Sequence, residues 1–346
     1  MHIMEQKYKI KTKNREMAYY RLGEGKPKKL ILLHGNASSA AFFFPFIYKL
    51  AEGFDVVAPD LNGFGDTEAS PVKAPTALMD WADDVKALAD ALGFEHFALL
   101  GWSLGGGVAW QAAIRYPEAI SHLLLLSPMS PYGFGGTKGV DGQMYDPPGW
   151  GSPGGFANPA FLQKLAEQHT GDDPMGPRAV LEKSLFAKGW PVEKEYQDLF
   201  VTELLKIRLG EDYYPGNYQQ IPAFPYVLPG DKGISNSLAP QYAKVTGILD
   251  IQPKPPILWI RGDQDQLVSD RSFSDLAVLG SLGLLPGYPG EEAFPPQPMV
   301  AQTRHVLEQY KEQGGVYKEL VMEGCAHASH LEDPERFLKE LLDFLG

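Results

Sequence analysis

The stretch His96-Phe97-Ala98-Leu99-Leu100-Gly101-Trp102-Ser103-Leu104-Gly105-Gly106-Gly107 decides the fold. Its first half is a short apolar run, as expected for a buried strand. Its second half opens a helical pattern over residues 104–116 that Pro117 stops. Between them, Gly101-Trp102-Ser103-Leu104-Gly105 has the spacing G-x-S-x-G. In a glycine-rich chain that spacing alone is weak; between a strand and a helix it has a mechanical meaning. So tight a turn forces the serine into a strained conformation and lifts its hydroxyl above the strand ends. A Cβ at either flanking glycine is expected to collide with neighbouring strands. The free N–H groups of the helix start lie beneath the serine, where negative charge is favoured.

Working outward, similar apolar runs occur at 30–33, 55–58, 123–126, 257–260 and 317–322. Helical patterns lie between or after them at 76–92, 300–313 and 335–345. Near-continuous hydrophobic strands alternating with helices predict a parallel sheet covered on both faces. The polar-alternating segments 8–13 and 18–22 predict an antiparallel hairpin at its edge. The alternation stops after Ser127 and resumes near Pro256. In between come a proline- and glycine-rich stretch to Pro159, helical patterns at 160–169 and 178–209, and an irregular stretch at 213–240. A second irregular excursion covers 280–299. The expected organisation is therefore a core of 1–127 and 251–346, with 128–250 inserted as a largely helical and irregular cap.

Composition bounds the function. The 346 residues are 44 % apolar and 21 % charged, which excludes a disordered or fibrous chain. A net charge of −12 argues against nucleic acid and against anionic membrane surfaces as partners. Cys325 is the only cysteine, so no intrachain disulfide forms. The opening residues have no apolar h-region, and no apolar run is long enough to span a bilayer. A cytoplasmic protein is expected, with secretion after leader removal left open; the oligomeric state is not legible.

A serine needs an adjacent base, and that base needs an orienting group. His327 follows the last strand on a loop at the carboxyl edge of the sheet, in Gly324-Cys325-Ala326-His327-Ala328. His330, three residues on, competes for the role, while His305 falls within an amphipathic helix. The acid comes from Gly262-Asp263-Gln264-Asp265, after another strand. Asp263 sits beside Gly262, where it suits the turn; Asp265 lies further out and is favoured. No acidic residue follows Ser127 before Asp141. The order is Ser103, Asp265, His327. There is no paired-cysteine or His-Glu-x-x-His metal motif, no phosphate loop and no dinucleotide fingerprint, so no metal and no cofactor are expected. Phe42-Phe43-Phe44 reads as core or site wall.

Serine, then acid, then histidine is the order of the α/β-hydrolases. The chain resembles that superfamily, and within it the capped carboxylesterases with a serine nucleophile. The resemblance rests on His34-Gly35-Asn36, Asp60 to Thr67, Gly101 to Gly105, Gly262 to Asp265, and His327 through Glu335. It implies an oxyanion hole from the backbone N–H groups of Asn36 and Leu104, each such donor being worth ~3 kcal/mol of barrier. His34-Gly35-Asn36 reads equally as a turn after a strand, with Ser38 or Ser39 capping the next helix. Two departures matter. Asn62 stands where the family usually carries a basic residue, which is expected to loosen a structural contact. His34-Gly35-Asn36 is also similar to the segment of haloalkane dehalogenases, whose nucleophile is an aspartate, whereas this chain has Ser103. Serine implies acyl transfer. The expected activity is hydrolysis of a small ester-like substrate. The same triad serves amide or peptide, lactone, thioester and carbon–carbon bond hydrolysis and perhydrolysis, and a non-catalytic ligand receptor can share the fold.

Overall fold

The computed structural model describes residues 7–346; the reading of the opening residues 1–6 lies outside them. The chain starts with the hairpin β1 (Tyr8–Lys11) and β2 (Glu16–Leu22). It continues through β3 (Lys28–Leu33), α1 (Phe44–Leu50), β4 (Phe54–Pro59), α2 (Ala77–Ala91), β5 (Phe97–Trp102), α3 (Leu104–Arg115) and β6 (Ile120–Leu126). The next 130 or so residues hold two small hairpins and three helices: β7 (Thr137–Lys138) with β8 (Gln143–Met144), α4 (Pro159–Ala166), α5 (Pro177–Leu185), α6 (Lys194–Leu204), and β9 (Tyr218–Gln220) with β10 (Val227–Pro229). The chain then returns through β11 (Ile257–Gly262), α7 (Leu276–Ser281), α8 (Met299–Glu312), β12 (Tyr317–Met322), α9 (Ser329–Glu332) and α10 (Pro334–Leu345).

Eight of the strands form one sheet in the order β1-β2-β4-β3-β5-β6-β11-β12. β1 and β2 run antiparallel at one edge, and the other six strands are mutually parallel. Helices flank the sheet. Every residue of β4 and β5 is buried, as covering on both faces demands. Trp81, Trp102, Trp110, Trp259 and Phe42 to Phe44 are among the largest side chains sealed in the core. Each such burial removes roughly 1.5–3 kcal/mol worth of apolar surface from water. The phenylalanine run is thus core, with Phe42 stacked on Phe200 of α6 at 4.2 Å between ring centres.

β5 lies centrally, between β3 and β6, and β11 and β12 follow on the β6 side. The loops leaving β3, β5, β11 and β12 therefore open at one carboxyl edge, where parallel sheets bind their ligands.

Three expectations need correction. The helical pattern at 178–209 is two helices, because residues 186–193 break it. Gly189 has φ +82°, and Pro191 disfavours helical geometry at Trp190. Asn62 loosens nothing: its amide exchanges two hydrogen bonds with the backbone of Ser70, at 2.9 and 3.0 Å. The crowding at Gly101 also has a different source. A Cβ there would come within 2.1 Å of the Gly105 carbonyl, in the following helix. Of the two, only Gly105 abuts a neighbouring strand: a Cβ there would lie 2.5 Å from the Leu33 carbonyl at the end of β3.

Candidate active site

Ser103 occupies the turn from β5 to α3 with φ +57° and ψ −115°. A non-glycine residue there is strained, and surrounding bonds must hold it. Its N–H donates to the Leu126 carbonyl of β6 at 3.0 Å. Its carbonyl accepts from Gly106 at 2.9 Å and from Met129 at 3.2 Å. Gly106 and Gly107 permit this approach, since Cβ atoms there would lie 2.6 Å from Pro128 and 2.7 Å from the Met129 sulfur.

Asp265 and His327 come together on the loops after β11 and β12. The His327 Nδ1–H donates to Asp265 Oδ2 at 2.9 Å, and both side chains are almost wholly buried. The other carboxylate oxygen accepts from the N–H groups of Leu267 and Val268, at 2.8 and 3.0 Å. One oxygen is therefore fixed by backbone and the other is left for the imidazole. With Nδ1 carrying the proton, Nε2 of a neutral ring holds a lone pair. The two loops are themselves joined: Gln264 N–H donates to the Cys325 carbonyl at 2.9 Å. Asp263 is a second tie between these loops and not a brace of its own turn, accepting from Gly324 N–H at 2.7 Å.

Two supports had no signal in the sequence. The indole N–H of Trp102, beside the serine, donates to the His327 carbonyl at 3.0 Å. The Glu332 carboxylate accepts from Ala326 N–H and, at 2.8 Å, from Ala187 N–H, so it joins the histidine loop to the chain after α5. Burial raises its pKa.

The remaining histidines sort by environment. His330 is fully buried against Trp102, Phe43, Phe46 and Phe337. Neither of its ring nitrogens has a hydrogen-bond partner among the described residues. Burial, with His327 nearby, pushes its pKa down to about 3, so it stays neutral and packs. His34 is also buried and held neutral. Its Nδ1–H donates to the Gly35 carbonyl at 2.8 Å, and its Nε2 accepts from Leu61 N–H at 3.0 Å. This anchors the loop after β3. Gly35 brings that loop close to the serine: a Cβ there would stand 3.1 Å from the Ser103 Cβ. Asn36 follows at the cavity wall, its side-chain oxygen accepting from Ala37 N–H at 2.9 Å. Ser39 caps the short helical turn after it. The Cys325 thiol is pushed up to about 11 by burial and by Glu332, which leaves it a poor nucleophile near neutral pH.

Two cavities meet at Ser103. One, of about 210 Å³, extends past Leu104, Met129, Phe134, Gly154, Phe156 and Leu238. The other, of about 250 Å³, extends past His327, Phe161, Leu181, Leu185 and Tyr214. Asn36, Ser103, Leu267 and Ser274 line both. No Lys, Arg, Asp or Glu lines either one. The roof combines residues 152–156, helices α4 and α5, and the loop after β11 through Leu267, Val268 and Ser274.

Among the described residues, one carboxylate cluster has the spacing of a metal site: Asp60, Asp66 and Glu203. Its centre is taken by a cation of the chain itself. Lys7 Nζ lies 2.8, 2.8 and 2.7 Å from the three carboxylates. Burial alone lowers the pKa of this lysine; Asp60 and Glu203 outweigh it and hold it protonated. The cluster joins α6 to the loop after β4.

A family model described as "alpha/beta hydrolase fold" matches residues 28–279. The chain belongs to this family. Among curated relatives, epoxide hydrolase 4 of Homo sapiens is 36 % identical over 124 residues, which are 34 % of this chain and 33 % of that one. The 2-hydroxymuconate semialdehyde hydrolase of a Pseudomonas species is 34 % identical over 122 residues, 34 % of this chain and 42 % of that one. These matches span about a third to two fifths of the relatives' length. Among solved structures, the carboxylesterase CesB of Bacillus subtilis has a TM-score of 0.59 at 17 % identity, covering 99 % of this chain and 92 % of that one. An esterase of Exiguobacterium antarcticum has a TM-score of 0.59 at 16 % identity, covering 98 % and 99 %. At such identities the likeness is one of fold. Among the described residues, no helix of this α/β-hydrolase is long and apolar enough to cross a membrane.

Proposed function

We propose that the chain is a serine hydrolase that cleaves an uncharged carboxylic ester through an acyl-enzyme on Ser103. The observation that carries this is the Asp265–His327 hydrogen bond of 2.9 Å, in the wall of a cavity that also exposes a serine at a strained strand-to-helix turn. Ser103 Oγ attacks the ester carbonyl as His327 Nε2 takes its proton. Asp265 keeps the proton of Nδ1 in place and stabilises the imidazolium. The N–H groups of Asn36 and Leu104 hold the oxyanion. His327 then returns the proton to the departing alcohol. Water, deprotonated by the same histidine, releases the carboxylic acid and restores the serine. No cofactor is called for.

The two cavities divide the substrate. The histidine must deliver its proton to the leaving oxygen, and His327 lines only the cavity beneath α4 and α5. That cavity is assigned to the alcohol, and the one beside Leu104 to the acyl group. The lack of charged lining residues favours a neutral ester over a carboxylate-bearing substrate, which would leave a buried charge unpaired. Epoxide opening, named for several relatives, fits a serine poorly: attack on an epoxide carbon would leave an ether that water does not release. Residues 128–250 serve as the cap over a core of 1–127 and 251–346.

The test is turnover of a chromogenic short-chain ester by the wild type and Ser103→Ala, with labelling by a fluorophosphonate. The expected result is turnover and labelling that both vanish in the variant while its circular dichroism is unchanged. Wild-type-like turnover by the variant would remove the triad. Labelling without turnover of any ester would move the reaction to another acyl bond or make the protein a receptor.

A further inference from the structure

We infer that the substrates are esters of long apolar acids, whose distal chain leaves the acyl cavity past Phe156 and lies in a groove on the outer face of the cap. The inference rests on the ester reading above. The groove, of about 650 Å³, runs along α4 and the segments around 209–220. It adjoins the site at two side chains: Phe156 stands between the groove and the acyl cavity, and Tyr214 between the groove and the alcohol cavity.

Three observations select the occupant. First, the groove surface is mostly apolar, with Phe156, Pro159, Leu162, Leu209 and Tyr218 among its residues. Second, Glu211 is its only charged residue, which disfavours an anionic head group. Third, its aromatic rim is left in water. Phe156 is 42 % and Tyr218 47 % exposed, and their rings meet edge to face at 5.7 Å. A neutral hydrocarbon chain gains most from covering such a surface.

The passage depends on a side chain and not on a moving loop. Gly154 is wedged against Asn236 and Pro229, and Gly155 against the Asn217 carbonyl, with no room for a Cβ at either. Asn236 in turn donates to the carbonyls of Asn217 and Lys232, both at 2.6 Å. The Phe156 N–H donates to the Pro153 carbonyl at 3.0 Å. The backbone under Phe156 is thus pinned and its ring is half exposed, so a turn of that ring about its own side-chain bonds would open the acyl cavity to the groove.

The experiment compares p-nitrophenyl butyrate with p-nitrophenyl decanoate, both below their aggregation concentrations, on the wild type and Tyr218→Glu. Tyr218 lines neither cavity at Ser103, so butyrate reports folding and chemistry in the same sample. The wild type is expected to favour decanoate in kcat/KM, by roughly two- to fourfold for each methylene the groove covers. A carboxylate at position 218 is expected to lower decanoate kcat/KM by about tenfold and leave butyrate unchanged. Phe156→Trp, which fills the passage, is expected to lower the decanoate-to-butyrate ratio in the same direction. A wild type that favours butyrate, or variants that scale both esters equally or neither, would overturn the inference while leaving the ester reading intact. No turnover of either ester, with no labelling of Ser103, would overturn the ester reading and this inference with it.

Discussion

Replacing His330 by leucine is expected to raise stability, and by more as the pH falls. The imidazole is fully buried among aromatic rings, and burial holds its pKa at about 3 against 6.5 when unfolded. A histidine depressed in the folded state binds fewer protons folded than unfolded between those values. Its penalty is therefore small at pH 7 and grows as the pH drops toward 3. By linkage, the loss between pH 7 and pH 4 is about 3 kcal/mol from this residue alone. Leucine of similar volume removes the titration and two orphaned nitrogens, whose burial costs about 1–3 kcal/mol at any pH. The assay is urea unfolding of both proteins at pH 7, 5.5 and 4, followed by tryptophan fluorescence. Every other titrating group is common to the two, so it cancels in the difference. A difference between leucine and histidine proteins that stays flat from pH 7 to pH 4 would overturn the prediction, because His330 would then titrate alike in the folded and unfolded states.

Two further variants probe the site's geometry. Gly35→Ala puts a Cβ 3.1 Å from that of Ser103 and 3.4 Å from the Trp102 ring, so the loop carrying Asn36 must retreat. Its kcat on a short ester is expected to fall roughly ten- to a hundredfold with little change in melting temperature; an unchanged kcat would separate that loop from the oxyanion. Asp265→Asn keeps the bonds from Leu267 and Val268 at the amide oxygen, so its NH₂ group faces His327 Nδ1 and selects the wrong tautomer. A fall in kcat of about 10⁴-fold is expected from stopped assays; a loss under tenfold would mean that the carboxylate does not orient the base.

The legible parts rest on strong local rules. The strands at 30–33, 55–58, 123–126 and 257–260 are apolar runs, Asp55 apart, with no polar alternation, and a doubly covered sheet accommodates them. Placing Asp265 and His327 on neighbouring loops needed only the end of each strand, since the parallel order brings those ends to one edge. The pairs that fix the site's surroundings span long separations and leave no local trace. Lys7 meets Glu203, Trp102 meets the His327 carbonyl, and Glu332 meets Ala187. The inserted segment was the least legible. Its hairpins of two or three residues carry no period, and the helical pattern at 178–209 conceals a break that depends on Gly189 and Pro191. The assignment of His330 to packing depends on burial, which three residues of spacing from His327 do not reveal.

The most direct test of the central claim is to trap the covalent intermediate. The wild type is mixed with a p-nitrophenyl ester, quenched in acid within the first turnover and digested for mass spectrometry. The expected result is a mass increase of one acyl group, on the peptide containing Gly101 to Gly105 and localised to Ser103, together with a burst of nitrophenol equal to the enzyme present. Turnover without any acyl adduct, or an adduct on a residue other than Ser103, would contradict it.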